Sequence, residues 1–490
     1  PNPSASLPLQ SLIRYYARPL ALQNRNPGSN AQRYMAESTT DASDADLPGR
    51  ESRDQNSHIS TSSPPSTNGA GKTPPTSAGP TPPAHPVETG WRRTFSSLKY
   101  REFRYLWLGM VFLMTAMQMQ MIVRGYLTYE LTNSPLLLGM VSAGFAIPML
   151  TLALFGGAVA DRMERKRVIQ IGQGASAILA LAIGISTFTD IVHWTHLFGV
   201  SIAQGAVFSF LMPSRQALIP QLVGKDNLTN AMSLDAAAMA ATTLIAPTIG
   251  GGLYNIIQPE GVYFLIAVCC ILAVVFTSFV KTPSGSKARS SAPVLNDIKS
   301  GLAYVIHSRM VLVLLVMGLA TSLLAMPFRF LMPVFVVDVY DKGPEAMGLL
   351  VTIMGLGSLV GALFIATLGK WRRGALLLGG SLLSGVALMM IALFPYYLAA
   401  AAIMILLGLG DAGRRALNQA MIMEEVEDEY RGRVMSVFMM NFGLMPLGVL
   451  PAGILAERMG GQFAIGVLAA LLILFTMAVW ATQKQLRNHM

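Results

Sequence analysis

Four charged residues, Arg124, Asp235, Arg329 and Asp411, interrupt long apolar stretches of this 490-residue chain. Charge is costly to desolvate, so each is a candidate for gripping an ion, carrying a proton or pairing with another charge. A guanidinium there can hold a carboxylate or carbonyl group through its fork of donors. Arg124 and Arg329 occupy equivalent places near the ends of two apolar stretches offset by 205 residues. Two readings are open for them. Either both heads snorkel to a polar membrane rim, or both face a shared cavity, attracting an anionic or carbonyl-rich substrate or pairing with acids such as Glu130 and Asp338 as a gate. Asp235 is either a carrier of a coupling proton or an acid favoured by the positive end of a helix. Asp411 has Arg414 and Arg415 at i+3 and i+4, the spacing of a paired structural charge, with proton coupling as its second reading.

Other chemistries find little support. Cys269 and Cys270 are adjacent in an apolar run, which suits neither a disulfide nor a CxxC metal site. His193 and His196 sit at the edge of a stretch, an interfacial place rather than a proton relay. Methionines crowd two stretches, Met110, Met114, Met117, Met119 and Met121 in one and Met435, Met439, Met440 and Met445 in the other. They suit ordinary packing or a cavity that accepts varied apolar ligands; Cu(I) binding is the third reading, without Cys or His among them. Asn68-Gly69-Ala70-Gly71-Lys72-Thr73 looks like the end of a phosphate-binding loop, but the first glycine of that motif would fall on Ser66 and Pro74-Pro75 stop the helix that should follow. No metal, no nucleotide and no other cofactor is expected.

The elements that must position these charges are membrane helices. Hydrophobic residues make up 52% of the chain and charged residues 13%, with mean hydropathy +0.49, too few charges to cover a soluble surface. Twelve apolar stretches open near Tyr105, Leu136, Val168, His196, Ala231, Gly261, Val311, Met347, Ala375, Tyr397, Val434 and Phe463, each long enough to cross a bilayer. Alternate breaks between them are basic, with Arg162, Arg165, Lys166 and Arg167, then Arg215 and Lys225, Lys370 to Arg373, and Arg414, Arg415, Arg431 and Arg433. The opposite breaks hold Lys342 and Arg458, with Arg124 at their edge. By the positive-inside rule, both termini and the basic breaks lie in the cytoplasm of a plasma (inner) membrane. The net charge of +10 is thus explained by topology, and no nucleic acid is needed as a partner.

Composition also divides the chain. Residues 1–90 are rich in Pro, Ser, Thr, Asn and Gly and read as a disordered cytoplasmic tail. Residues 1–34 carry arginines and no acid; they are either a targeting segment or an extension upstream of a start at Met35, the second being expected. Residues 91–280 form a first six-helix bundle and 310–483 a second, with a short cytoplasmic tail at 484–490. The linker at 281–309 has Leu295, Ile298, Leu302, Val305 and Ile306 at helical spacing, as an amphipathic helix on the inner membrane surface would. The halves repeat: Ala231-Met232-Ser233-Leu234 matches Val434-Met435-Ser436-Val437 at an offset of 203. Parallel six-helix repeats with a site between them are a transporter architecture.

The sequence Gly157-Ala158-Val159-Ala160-Asp161-Arg162-Met163-Glu164-Arg165-Lys166-Arg167 resembles the GxxxDRxGRR signature of the major facilitator superfamily, with Glu164 where glycine is usual. Phe103 to Gly109, Tyr129 to Pro135, Pro213 to Leu218 and Arg431 to Ser436 are similar to the branch that holds enterobactin exporters and macrolide-efflux-like proteins. The resemblance covers about residues 92 to 482. It implies an all-α fold of twelve transmembrane helices in two pseudo-symmetric six-helix bundles. It also implies a cytoplasmic latch in which Gly157, Asp161, Arg162 and Arg165 meet the helix end at Arg431 and Arg433. The antiporter signature of the fifth helix survives as Pro247 with Gly250 and Gly251, favouring a bend and close packing. The arginine usual in the fourth helix of proton antiporters is replaced by Ser201. The function implied is secondary active efflux of small amphipathic compounds of drug, macrolide or siderophore class, with membrane lipid around it and a proton as the candidate coupling ion. The rivals are an importer, a lipid flippase, or a non-transporting sensor or scaffold with the same fold.

Overall fold

The computed structural model describes residues 96–152, 163–281, 302–368, 372–427 and 430–487, all within one compact unit, His85–Met490. The tail before Ser96, the Met35 start, the Asn68–Thr73 segment and most of the linker lie outside the described residues. So do Gly157, Asp161 and Arg162.

Among the described residues the elements are helices, without strands, and ten helices are long and apolar enough to cross a membrane. The first four are α1 (Arg101–Thr132), α2 (Pro135–Leu152), α3 (Arg165–Phe188) and α4 (Trp194–Gly224). The next, Asn227–Ser278, has 52 residues. At 1.5 Å per residue it is roughly 78 Å long, more than twice the ~30 Å bilayer core, so it must cross twice. It breaks where Gln258 takes φ 59° ahead of Pro259, giving α5 (227–257) and α6 (259–278). The second half supplies α7 (Arg309–Phe330), α8 (Pro344–Leu368), α9 (Arg373–Leu393) and α10 (Tyr397–Glu425). Next is α11 (431–459), two helices joined by a tight turn at Met445–Gly448, and last α12 (Gly461–Thr482). Twelve crossings result, six in each half. Each starts within four residues of an apolar opening read from the sequence.

Local chemistry sets the boundaries. Asn133 ends α1 in the left-handed conformation, φ 46°, and Ser134 starts α2 by accepting a hydrogen bond from the Leu137 amide at 3.2 Å. Pro135 follows, needing no partner for the donor it lacks. Pro327 near the end of α7 and Pro333 just beyond it divide the chain into short helical segments that continue to a single wide turn at Phe335–Val339. The outer sides stay apolar: α3 exposes Ile171, Ile178 and Ile185, seven residues apart, as a face that meets lipid rather than water.

The two loop faces differ in how the halves meet. The face holding the α1–α2 and α7–α8 connections is distal; the face holding Ser96–Lys99 and Lys484–Arg487 is proximal. Toward the distal face one apolar cluster joins both halves, with Ile122, Tyr129 and Leu138 packed among Phe328, Phe335, Leu350 and Ala452. At the proximal face each half keeps a core of its own, Phe103, Ile169, Leu218 and Val280 in one and Val311, Leu378, Leu417 and Val434 in the other.

Candidate functional site

At the seam, α1, α2, α7 and α8 enclose a cavity of ≈ 20 Å³ lined by Met121, Ile122, Arg124, Gly125, Val141, Ser142, Arg329, Phe330 and Met347. Both sequence-predicted arginines therefore line one space, from opposite halves. Arg124 is eight residues before the end of α1 and Arg329 ten residues before Val339. That places their backbones about 12 Å and 15 Å below the distal end at 1.5 Å per residue. Of the methionine-rich first stretch, Met110, Met114 and Met119 pack in the core of the first half, and Met121 alone of those five borders this cavity.

Each arginine faces a polar residue on the fourth helix of its own half. Arg124 donates from a terminal nitrogen to Gln204 Oε1 at 3.1 Å, and Gln204 in turn donates to Gln120. Both glutamines are buried. In the second half, Arg329 and Asp411 line a second small void with Ser384 and Phe328. Asp411 is buried and pairs with Arg414 and Arg415, at 2.6 Å each, while Arg414 also donates to Thr321 on α7. Arg329 Nε is buried without a hydrogen-bond partner. The sequence spacing anticipated the Asp411 pairing; the glutamine pair was legible only as two amides inside apolar runs.

Asp235 on α5 forms a buried ion pair with Arg215 on α4, whose side chain is 3% exposed. Arg215 reads from the sequence as part of a basic break, and the structure corrects this: it lies nine residues inside α4, because the helix continues past the end of its apolar stretch to Gly224. Arg414 and Arg415 likewise belong to the body of α10 rather than to a break.

The distal seam is closed by hydrogen bonds that cross between the halves. Tyr129 donates its hydroxyl to Asp338 at 2.5 Å, Asn255 donates to Glu345 at 2.5 Å, and Ser134 donates to Glu457 at 2.8 Å. Glu130 accepts from Tyr254 within the first half. Glu130 and Asp338 are thus engaged by tyrosines and not by Arg124 and Arg329, a correction to the expected gate. Small residues let the backbones meet there: a side chain at Gly251 would strike the Pro344 carbonyl, one at Gly348 the Pro247 carbonyl at 2.5 Å, and one at Gly453 the Pro135 carbonyl at 2.8 Å. A side chain at Gly250 would come within 3.2 Å of the Met119 backbone on α1. The backbone of α5 stays helical through Pro247, so the motif acts here through close approach.

Three members of the expected latch are described. Arg165 donates to the Ala217 carbonyl at 2.9 Å, Arg431 to the Met423 carbonyl at 2.9 Å, and the Arg433 head lies 5.4 Å from the centre of the Tyr430 ring. Each of these contacts is within its own half. His193 caps the start of α4, accepting from the Thr195 amide while His196 accepts from the His193 amide at 3.2 Å. Cys269 and Cys270 are buried in the core of the first half.

Comparison with known proteins agrees with this architecture. The family described as Major Facilitator Superfamily matches residues 106–449. Macrolide efflux protein A of Streptococcus pyogenes is 25% identical over 376 residues, covering 73% of this chain and 90% of that protein. The staphyloferrin A transporter of Staphylococcus aureus is 22% identical over 365 residues, covering 71% and 88%. The enterobactin exporter EntS of Shigella boydii is 25% identical over 307 residues, covering 62% and 73%. Among solved structures, the nucleoside transporter NupG superposes with a TM-score of 0.65 at 14% identity, over 78% of this chain and 99% of that one. A bacterial homolog of the human lysosomal transporter Spinster, inward-facing and unoccupied, gives 0.64 at 12% identity, over 79% and 98%. With a match over more than half its length and twelve crossings arranged as two six-helix halves about a central seam, the chain belongs to the major facilitator superfamily.

Proposed function

We propose that the chain is a secondary active transporter, an efflux permease for small amphipathic compounds, working by alternating access around the seam. The observation that carries this reading is the meeting of Arg124 and Arg329, from equivalent helices of the two halves, at one cavity that the distal contacts seal. A cavity of ≈ 20 Å³ has room for little more than a water, so a drug-sized compound enters only if the halves part. The proximal face, where each half keeps its own core, is where they would part. Relatives named for macrolide, staphyloferrin A and enterobactin transport support export of bulky amphipathic compounds.

The basic, proximal face would lie in the cytoplasm of the plasma membrane, so this conformation would be closed outward and ready to load from within. Asp161, with Gly157 and Arg162, would latch the proximal face against α11 when the cavity turns outward. A proton would drive the cycle through Asp411, which shares a void with Arg329, whereas Asp235 is enclosed between α4 and α5 by Arg215. The test is uptake into everted membrane vesicles of a panel comprising a macrolide, a hydroxycarboxylate siderophore and an anionic dye. Energy-dependent accumulation of any one of them, lost on collapsing the proton gradient, is expected. Gradient-independent equilibration of the whole panel, with the protein present and folded, would overturn it.

A further inference from the structure

We propose that the seam selects anions: it takes compounds with a carboxylate or comparable acidic head on an apolar body, in preference to cationic amphiphiles of the same size. The inference rests on the transport reading above and names its substrate class.

At the two voids charge does not balance, since the seam acids Asp338, Glu345 and Glu457 are held toward the distal end by Tyr129, Asn255 and Ser134. Among the described residues Arg124 hydrogen-bonds the neutral amide of Gln204, and neither it nor Arg329 forms an ion pair. Asp411, the one carboxylate bordering either void, is already shared between Arg414 and Arg415. Glu130 lies six residues beyond Arg124, about 9 Å along the helix, and is engaged by Tyr254. Four guanidiniums, those of Arg124, Arg329, Arg414 and Arg415, are therefore grouped around one carboxylate in a region where an uncompensated charge is expensive. The same chain gives a counter-charge to an arginine with less access to solvent: Arg215, buried where Arg124 and Arg329 are half-buried, is given Asp235. Among the described residues Arg124 and Arg329 have no ion pair of this kind, Arg329 only sharing a void with the already paired Asp411, and both line the space where a ligand would sit. A carboxylate between them would receive forked hydrogen bonds from both halves at once, which ties binding to the closing of the halves. Met121, Ile122, Val141, Phe330 and Met347 supply the apolar walls for the rest of the compound.

The test uses the full chain in lipid nanodiscs and three probes on one scaffold: 2-naphthoate, 2-naphthylmethanol and 2-naphthylmethylammonium. Equilibrium dialysis should show naphthoate binding at least about tenfold more tightly than the ammonium probe. Arg124→Gln and Arg329→Gln should each cost about tenfold in naphthoate affinity and leave naphthylmethanol within about twofold. Arg329→Lys keeps the charge without the fork and should retain part of the affinity, which keeps the test decisive if a Gln variant fails to fold. Equal or tighter binding of the ammonium probe, no binding of naphthoate, or unchanged affinity in folded Gln variants would each overturn anion selectivity. Vesicle uptake of a neutral or cationic panel member alongside such a result would leave efflux standing and remove only the charge preference.

Discussion

Arg124 and Arg329, 205 positions apart in the sequence, line the same cavity from opposite halves of the molecule. The repetition extends to what stands behind them. The fourth helix of the first half offers Gln204 to Arg124, and the fourth helix of the second half offers Asp411 to the void that Arg329 lines. The halves are similar in plan and unlike in charge, since an amide occupies one place and a carboxylate the other. One side thus backs its arginine with two neutral amides, and the other with a carboxylate held by Arg414 and Arg415.

The Arg215–Asp235 pair should behave as a structural element. Asp235→Asn leaves a buried guanidinium without its counter-charge, a loss of about 3–5 kcal/mol. We predict a marked fall in membrane abundance and in the melting temperature of the detergent-solubilised protein. The double change Arg215→Gln with Asp235→Asn should recover much of both. A single variant as stable as the parent would contradict the pairing.

Tyr129→Phe removes the donor that Asp338 accepts across the distal seam. One such bond is worth about 0.5–1.5 kcal/mol net, or roughly two- to tenfold in a two-state equilibrium. The outward-open population should rise by that factor, read as faster labelling of a cysteine placed at Ser142 beside the cavity by an impermeant reagent from the distal side. Unchanged labelling would show that the seam is held by its apolar contacts alone.

Gly251→Val should do more than the hydrogen-bond change, because its side chain meets the Pro344 carbonyl rather than a movable group. Overpacking of this kind costs about 1–3 kcal/mol, and here it falls only on the conformation with α5 and α8 in contact. The prediction is a protein of near-normal abundance that stays open distally and loses directional transport. Wild-type accumulation in vesicles would show that the crossing is not made during the cycle.

The helices were legible because hydropathy is a local property: twenty consecutive apolar residues announce a crossing whatever surrounds them. The arginine pair was legible because the halves repeat, and the Asp411 triad because i+3 and i+4 are neighbours on any helix. Contacts between helices were not. Arg215 read as a loop charge since helix ends extend past their apolar cores, and its partner lies on the next helix. Glu130 and Asp338 read as partners for arginine, yet the depth of a side chain along a helix, together with helix rotation, gave them to Tyr254 and Tyr129 instead. Those features are fixed by packing between elements, for which a single sequence holds no local signal.

Alternating access around the seam is tested most directly by distances measured across both faces in one protein. Spin labels at Leu131 and Leu398 report the distal face, and labels at Arg104 and Met423 the proximal face, with Cys269 and Cys270 replaced by alanine. Double electron–electron resonance in proteoliposomes, with and without saturating 2-naphthoate under an imposed proton gradient, should show opposite changes. The proximal distance shortens in a fraction of molecules while the distal distance lengthens in the same fraction. One fixed distance for each pair under every condition, in protein that binds naphthoate, would contradict alternating access.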